Sequence, residues 1–411
     1  MGNHIHKAWR KERGIREPPD LPLEILLDIF ARADPATVIR CAATSKLLRR
    51  HITNPSFHQH LRKNHAVGFV PALLVGVLFF DAREGQGRRQ FVPLPPSTKL
   101  TLSLAPANGG DGSCRRYTFR PVASRDGLVV LSRYKIVHGV TVVELCVGNP
   151  VTGEYAFLPP ATVSRTGYSH VLLTGDQLQP FLLPAARLGH GGSHANFLVK
   201  NRRVGPSTEP FAHLNLPDGS TIARCSAVVL RGVAHWLYEY KYNDDDNTKS
   251  SHGYGVVAIT IAGAGTAATA IEIPRHCLRW RRCEVKEELL LARSADGRLA
   301  LLVAESLGTA MWTLSKDSTS WARRLVVNRQ RILGSVKLRW DPIACVGTEL
   351  DWFGEASGTV AFQVNGAGML LLNLKTREIS QFSQGLTIRR RLRWCPYEMD
   401  LVSVLAAMKS F

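Results

Sequence analysis

Hydrophobic residues recur at helical spacing in one short stretch near the start of the chain, residues 20–62. Ile25, Leu26, Ile29 and Phe30 lie three or four positions apart, the spacing of one face of an amphipathic helix. The same spacing predicts two further short helices, the second with Val38, Ile39 and Ala42 and the third with Leu47, Leu48 and Ile52.

Helix-starting residues mark the beginning of each predicted helix. Pro22 suits the first helical position because its missing N–H costs nothing there. Asp34-Pro35 and Asn54-Pro55 combine a capping side chain with a proline whose φ is already helical. Thr44 or Ser45 can cap the helix between them. The stretch is therefore predicted to be a compact set of short helices.

This helical stretch contains more large apolar side chains than it can bury. About 45 residues enclose too little interior for all of them, and each one fully buried contributes roughly 1.5–3 kcal/mol. Side chains left in water would mark a surface that binds a partner. The alternative is that the helices pack against the rest of the chain, and the pattern alone leaves both open.

After His65 the helical spacing stops, and short runs rich in Val, Leu, Phe and Tyr alternate with turn residues. Arg125-Asp126-Gly127, Ala295-Asp296-Gly297 and Asn365-Gly366 are turn signals because Asp or Asn bonds its own backbone and Gly accepts positive φ. Roughly 20 strand-like runs with a turn every 8–12 residues indicate an all-β domain. A β-propeller has about 40–50 residues per four-stranded blade. The predicted fold is α+β, with a small helical domain followed by a propeller of about six blades.

Composition narrows the classes of partner. The chain has 52 Lys and Arg against 33 Asp and Glu, a net charge of +19. Such a balance points to nucleic acid, an acidic protein surface or a nuclear address. The longest apolar run, residues 69–80, is too short to cross a bilayer, so no membrane association is expected. The 8 cysteines are scattered without a Cys-x-x-Cys pair, which indicates reduced thiols in the cytosol or nucleus.

No stretch carries a convincing catalytic or metal-binding pattern, and no cofactor is predicted. Gly263 to Ala268 has the spacing of a dinucleotide loop, but the following residues favour a hairpin over the required helix. Residues 189–194 contain two histidines without a carboxylate or cysteine at ligand spacing. His235 is expected to be packed in a strand. The basic cluster at residues 389–394 could contact nucleic acid or an acidic target, or protect a strand edge.

The helical stretch resembles an F-box. Arg40-Cys41 and Ser45-Lys46 match the family pattern, and Leu48 stands where the family often has Trp. Such a likeness implies docking on a Skp-type adaptor and, through it, on a cullin. The residues that match the family's adaptor contacts are Leu21, Pro22, Ile25, Leu26, Ile29, Phe30, Val38, Ile39, Cys41 and Leu48.

The remainder resembles the β-rich associated domain of F-box proteins from grasses. The similar segments follow one another in the family's order. They are residues 146–155, residues 231–237, residues 294–299, residues 311–314, Trp352-Phe353-Gly354-Glu355 and residues 395–401. In that family the β domain selects a target protein, so an unidentified protein substrate is expected.

Three regions follow: a basic disordered tail at residues 1–19, a helical F-box domain at 20–64, and a β-rich domain at 65–411 that ends in a short helix. The tail is a solvated segment or a nuclear signal. The predicted function is a non-catalytic substrate-recognition adaptor of a Skp–cullin–F-box ubiquitin ligase, in the cytoplasm, the nucleus or both. The alternative, which is disfavoured, is a nucleic-acid-binding protein that dimerises through its helices.

Overall fold

The computed structural model divides the chain into two compact units, residues 1–64 and 65–411. They are called the helical unit and the β unit. The structure describes residues 21–33, 35–54, 56–57, 69–81, 88–94, 119–138, 140–162, 169–173, 181–185, 194–197, 212–217, 220–222, 227–243, 250–262, 265–278, 288–336, 348–364, 368–382 and 394–399.

Three helices form the described part of the helical unit: α1 (Leu23–Arg32), α2 (Pro35–Thr44) and α3 (Lys46–Ile52). Pro22 is the N-cap of α1, one position before the first helical position that the sequence predicted for it. The Ser45 hydroxyl accepts a hydrogen bond from the Leu48 N–H at 3.4 Å, so Ser45 is the cap of α3. Arg49 ties α3 to α2, because its Nε donates to the Ala42 carbonyl at 3.1 Å.

A small set of side chains fills the interior of the helical unit. Val38, Ala42 and Ile52 have no exposed surface, and Phe30 and Phe57 are buried. Their combined volume is modest, as expected for a unit of this length. The other large apolar side chains whose exposure is described are left partly or largely in water, namely Leu21, Leu23, Ile25, Leu26, Leu27, Ile29, Leu47 and Leu48.

The β unit contains 24 strands within its described residues. Their bounds are β1 Leu74–Asp81, β2 Arg88–Pro93, β3 Arg120–Arg125, β4 Leu128–Val137, β5 Val140–Asn149, β6 Glu154–Thr162, β7 Ser169–Leu173, β8 Phe181–Ala185, β9 His194–Phe197, β10 Ala212–Asn215, β11 Thr221–Ile222, β12 Val228–Leu230, β13 Val233–Asn243, β14 Ser250–Ala262, β15 Gly265–Glu272, β16 Leu289–Arg293, β17 Leu299–Glu305, β18 Gly308–Leu314, β19 Trp321–Asn328, β20 Thr348–Phe353, β21 Thr359–Val364, β22 Gly368–Asn373, β23 Ile379–Gln381 and β24 Trp394–Glu398. One helix, α4 (Arg329–Ser335), and 3-10 turns at Pro71–Leu73 and Arg275–Leu278 connect them.

The strands form antiparallel sheets that follow one another along the chain, arranged as a propeller. Sheets II to VI are β3–β6, β7–β10, β11–β15, β16–β19 and β20–β23, each built from four or five consecutive strands. Sheet I has three described strands in the order β2-β1-β24, so it pairs the beginning of the unit with its end. The prediction of about six blades is therefore corrected to five blades of consecutive strands and a smaller closing sheet.

Several strands at the beginning or end of a sheet contact a strand of a neighbouring sheet. β3 contacts β24 and β7, and β16 contacts β12 and β20. Strands of sheets IV, V and VI share one large hydrophobic core, in which every residue of β17 is buried. Burial on both faces explains why these strands read as nearly continuous apolar runs rather than as alternating ones.

Two of the predicted turns occur where the sequence placed them, at Asp126-Gly127 and at Asp296-Gly297, whereas Asn365-Gly366 lies outside the described residues. Asp126 and Gly127 have φ of 49° and 78° between β3 and β4, which matches the mirror-image turn that favours Asp-Gly. Ala262 pairs with Gly265 across the β14–β15 hairpin, so the hairpin interpretation of the glycine-rich loop is confirmed. The predicted basic tail, the final helix beyond Met399, the loop at 189–193 and the basic cluster at 389–393 lie outside the described residues.

Candidate functional site

An apolar stripe is exposed on α1 and just before it. Leu21, Ile25 and Ile29 follow one another at intervals of four residues, and their exposed fractions are 46%, 48% and 48%. Residues four apart lie on the same side of a helix. Phe30 and Ala31, on another side of α1, are buried. The helix therefore has one apolar side in the interior and a second in water.

Leu47 extends the exposed apolar surface on α3. It is 60% exposed, the largest value among the described apolar residues of the helical unit. Ile52, the buried residue of α3, lies five positions later. Five residues rotate a helix by about 140° beyond a full turn, so Leu47 faces away from the buried side. Leu21, Ile25, Ile29 and Leu47 are called the exposed apolar set.

The predicted adaptor-binding residues fall into three groups. Leu21, Pro22, Ile25 and Ile29 are exposed, and Leu26, Cys41 and Leu48 are partly buried. Phe30 and Val38 are buried, at 9% and 0% exposure, and the side chain of Ile39 lies outside what the structure describes.

Phe30 and Val38 are interior residues of the helical unit, because the short helices need them to exclude water from their packing. The adaptor contacts themselves stay a prediction. The sequence analysis did not predict that Leu47 is exposed, since spacing alone grouped it with the apolar side of α3. Its large angular separation from Ile52 was the signal that could have identified it.

In the β unit, the turn from Gly354 to Gly358 joins several sheets. The Glu355 carboxylate accepts from the Arg125 Nη1 at 2.5 Å and from the Val229 N–H at 3.1 Å. Its backbone carbonyl accepts from the Arg293 Nε at 2.6 Å. Because these partners belong to sheets II, IV and V, this one residue of sheet VI bonds to three other sheets.

Glu398 completes the same junction from sheet I. Its carboxylate accepts from the N–H groups of Ala356 and Ser357 at 2.9 and 2.7 Å, and its carbonyl accepts from the Gly127 N–H at 2.9 Å. The Tyr397 hydroxyl donates to the Gly127 carbonyl at 3.1 Å. The junction formed by Arg125, Arg293, Glu355 and Glu398 is called the hub.

The electrostatics of the hub indicate a structural role for its charged groups rather than a catalytic one. Burial raises the pKa of the Glu355 carboxyl, although Arg125 opposes the change. Burial would lower the pKa of the Arg125 guanidinium, but the Glu355 and Asp126 carboxylates raise it above its ordinary value. Each oxygen of the Glu355 carboxylate accepts one hydrogen bond, from the Arg125 guanidinium and from the Val229 N–H, so the hub acts as a junction between blades.

The hub brings together segments that are far apart in sequence. Glu355 belongs to Trp352-Phe353-Gly354-Glu355, Glu398 to residues 395–401, and Arg293 immediately precedes residues 294–299. These are three of the segments that resemble the grass F-box-associated domain. Their shared feature is the contact between the turns of different blades, which sequence order alone does not show.

Other candidate chemical groups have structural roles. The His235 Nδ1 lies 3.3 Å from the Val228 carbonyl oxygen, and burial lowers its pKa, as expected for a packed strand histidine. Burial raises the pKa of the Cys277 and Cys395 thiols to about 12, which makes them poor nucleophiles. Across the described ranges, no three His, Cys, Asp or Glu side chains are grouped as a metal site.

The two units match two family models. Residues 18–64 match the F-box-like family, so the chain has an F-box-like domain followed by a large all-β domain. Residues 114–411 match the family described as a domain of unknown function (DUF7595). Because this match spans more than two thirds of the chain, the protein belongs to the DUF7595 family. A grass origin stays a prediction.

A comparison with curated proteins finds no match. Among solved structures, an α-L-arabinanase from Penicillium chrysogenum complexed with arabinobiose shares 9% identity over 74% of this chain and 87% of its own, with a TM-score of 0.38. An α-L-arabinofuranosidase from Fusarium graminearum shares 10% identity over 64% and 77%, with a TM-score of 0.34. Likenesses this weak carry no argument about the present chain.

No helix within the described residues has the length and apolar character needed to cross a membrane.

Proposed function

We propose that this protein is the substrate-recognition subunit of a Skp–cullin–F-box ubiquitin ligase. Its helical unit binds a Skp-type adaptor, through which it reaches a cullin, and its β unit binds a target protein. The chain itself performs no bond chemistry in this proposal and is not an enzyme. It raises the local concentration of the target beside the subunits that transfer ubiquitin.

The observation that carries the proposal is the exposed apolar set of an F-box-like domain. Four large apolar residues, each about half exposed or more, lie on α1 and α3 or just before α1, while Val38, Ala42 and Ile52 form the interior. At about 25 cal/mol per Å² of apolar surface removed from water, covering them gives a partner a substantial driving force. A partner that completes this surface is what the adaptor supplies.

The exposure of each side chain determines which substitutions can test the proposal. Leu26 is partly buried, so a charge there would also disturb the packing of α1. Ile25 and Ile29 are both 48% exposed and lie on one side of α1. Ile25→Asp combined with Ile29→Asp therefore removes the contact surface while leaving the interior of the helical unit unchanged.

The experiment is co-expression of the full chain with a Skp-type adaptor, followed by affinity capture. The double variant is expected to retain less than about a tenth of the adaptor, a change equivalent to at least about 1.4 kcal/mol. Ile136→Asp is the matched control, because Ile136 is 60% exposed on β4 of the β unit. It introduces the same chemistry away from the helices and should bind normally. Adaptor capture that is equal for the double variant and the control would exclude the proposed surface.

Residence in the cytosol or the nucleus belongs to the same proposal. Cys41, Cys146, Cys277 and Cys395 are free thiols, which suits a reducing compartment. The nucleic-acid alternative drew on the net charge of +19 and on the basic cluster at residues 389–394. Of that cluster only Trp394 is described, and it is a buried strand residue. No observation among the described residues favours that alternative.

A further inference from the structure

The outer strand of sheet V has an unusual exposed sequence. β19 pairs with β18 on one side, and no strand of the described residues pairs with its other side. Four consecutive residues, 322–325, are exposed. An open strand edge of this kind offers unpaired backbone groups to another extended chain.

The two faces of β19 differ in character. Successive side chains of a strand point to opposite faces, so Arg323 and Leu325 share one face and Arg324 lies on the other. The Arg323 Nε donates to the Glu305 carboxylate at 3.0 Å, and the Glu305 side chain is only 1% exposed. This internal pairing neutralises Arg323. The face with Leu325, which is 38% exposed, therefore presents an apolar group to a partner.

Arg324 gives the opposite face a positive charge. The guanidinium groups of Arg324 and Arg331 form no ion pair with any carboxylate in the described part of the chain. Both residues are exposed. Arg331 lies in the first turn of α4, which follows β19 directly. Positive charge is thus concentrated along the strand and at its carboxyl end.

Leu307 adds an apolar group at that same end. It is 65% exposed in the turn between β17 and β18. Its carbonyl accepts from the Arg329 N–H at 2.8 Å, so the turn lies against the start of α4. Leu307, Arg324, Leu325 and Arg331 are called the outer-edge surface.

We propose that the outer-edge surface binds an extended segment of a target protein in which acidic and apolar residues alternate. The segment pairs with β19 as an added strand. Its acidic side chains lie beside Arg324 and Arg331, and its apolar side chains lie beside Leu325 and Leu307. The inference rests on the proposed function, since it identifies where and by what chemistry the β unit holds its target.

Comparison with another outer strand supports this choice. In β15, the outer strand of sheet IV, the exposed residues are Ala267, Thr269, Ala270 and Glu272. They are small or acidic and would repel an acidic segment or leave it without contacts. The overall charge of +19 also favours an acidic partner over a basic one.

The test uses the full chain and a fluorescein-labelled peptide of alternating glutamate and valine, equal in length to the 8 residues of β19. Binding is measured by fluorescence anisotropy. Combining Arg324→Glu with Arg331→Glu is expected to weaken binding by about tenfold or more, and Leu325→Ser by about threefold. The control combines Arg231→Glu with Arg377→Glu, which changes the net charge equally at exposed turns of sheets IV and VI. It should change binding by less than about twofold.

Amide hydrogen exchange tests whether the peptide adds as a strand. Exchange in β19 should slow when the peptide binds, while exchange in β15 should not change. A peptide with lysine in place of glutamate should not bind. Equal weakening by the charge control, equal binding of the lysine peptide, or binding without protection of β19 would each overturn the proposal.

Failure of the proposed function is distinguishable from failure of this inference. Adaptor capture depends on Ile25 and Ile29, whereas peptide binding depends on the outer-edge surface. Loss of adaptor binding with retained peptide binding would contradict the ligase assignment and leave the peptide site standing. The reverse result would remove only the site.

Discussion

The helical unit and the β unit handle apolar surface in opposite ways. In the helical unit, Ile25, Ile29 and Leu47 are about half exposed or more, while Val38 and Ile52 are fully buried. In the β unit, Trp236, Trp352, Tyr254 and Tyr397 are almost completely buried. The β unit buries its largest side chains and exposes a few separate apolar residues such as Ile136 and Leu307, whereas the helical unit exposes apolar residues at successive turns of one short helix.

The difference follows from size and from how each unit closes. A short helical segment has too much surface for its volume, so some large side chains stay in water. A propeller closes when its last strand pairs with its first, as β24 does with β1, and the hub then fixes the turns of neighbouring blades. Stability should therefore depend on the hub in the β unit, whereas the exposed apolar set should matter to binding alone.

Glu355→Ala should produce the largest loss of stability. It leaves the Arg125 guanidinium without its carboxylate and the Val229 N–H without its acceptor. The two charged side chains are 21% and 23% exposed, so the expected loss is about 2–4 kcal/mol, below the full cost of breaking a wholly buried pair. Urea unfolding followed by tryptophan fluorescence reports on the β unit, because every tryptophan except Trp9 lies there.

Arg298→Ala is the matched control for that measurement. It removes the ion pair between Arg298 and Asp296, whose side chains are 35% and 51% exposed, respectively. An exposed pair contributes about 0–1 kcal/mol. Equal losses from Glu355→Ala and Arg298→Ala would show that the hub does not join the blades.

Gly358→Ala should destabilise the β unit by about 2–3 kcal/mol. Gly358 has φ of +67°, and an added Cβ would lie 2.2 Å from the Phe69 ring. That ring also contacts Phe353 and the Arg293 guanidinium, so its displacement would disturb the hub.

Gly232→Ala separates backbone strain from the clash. Gly232 has φ of +79°, but an added Cβ would meet no atom within 4 Å. The expected loss is about 1 kcal/mol from strain alone. Fluorescence-detected unfolding of the two variants gives the difference, and an absent difference would show that Phe69 moves at no cost.

Asp351→Asn should stabilise the β unit above pH 7. Burial, helped by repulsion from Glu349, raises the pKa of the Asp351 carboxyl from its ordinary 3.8 to about 7. Below the lower value the group is neutral in both the folded and the unfolded chain. Between the two values the unfolded chain releases the proton that the folded chain keeps, so this group makes stability fall as pH rises.

Asp351→Asn removes that pH-dependent loss of stability. The expected gain at pH 8 is about 1–3 kcal/mol, discounted for the partial exposure of Asp351, and it should disappear near pH 4. Melting temperatures of the two proteins across this range check the prediction. A constant difference at all pH values would exclude titration of Asp351 as its cause.

Ile29→Ser should have the smallest effect on stability, less than about 0.5 kcal/mol, because the side chain is already half in water. Val38→Ala should cost about 1–2 kcal/mol, because it leaves a cavity in the interior of the helical unit. Amide hydrogen exchange in α2 measures both. If Ile29→Ser loosens α2 as much as Val38→Ala does, Ile29 is part of the interior after all.

Many structural features of this protein are determined locally by its sequence. Pro22 and Ser45 mark helix starts, Asp126-Gly127 marks a turn, and continuous apolar runs such as β17 identify buried strands. Each of these features depends on residues within a few positions of it, because the steric contacts and hydrogen bonds that produce it act over that short range. Two units of different class could therefore be predicted from the sequence, whereas the partner surface of the helices stays a prediction.

Only the tertiary structure decided which apolar helical residues are interior and which are exposed. Val38 and Leu47 have similar hydrophobicity, yet one is buried and the other is in water, because neighbouring helices cover one side of each helix and not the other. The blade count likewise depends on β24 pairing with β1 across more than 300 residues, a closure that no local pattern encodes. The hub has the same origin: Arg125, Glu355 and Glu398 are distant in sequence, and only the closed ring of blades brings their charges into contact.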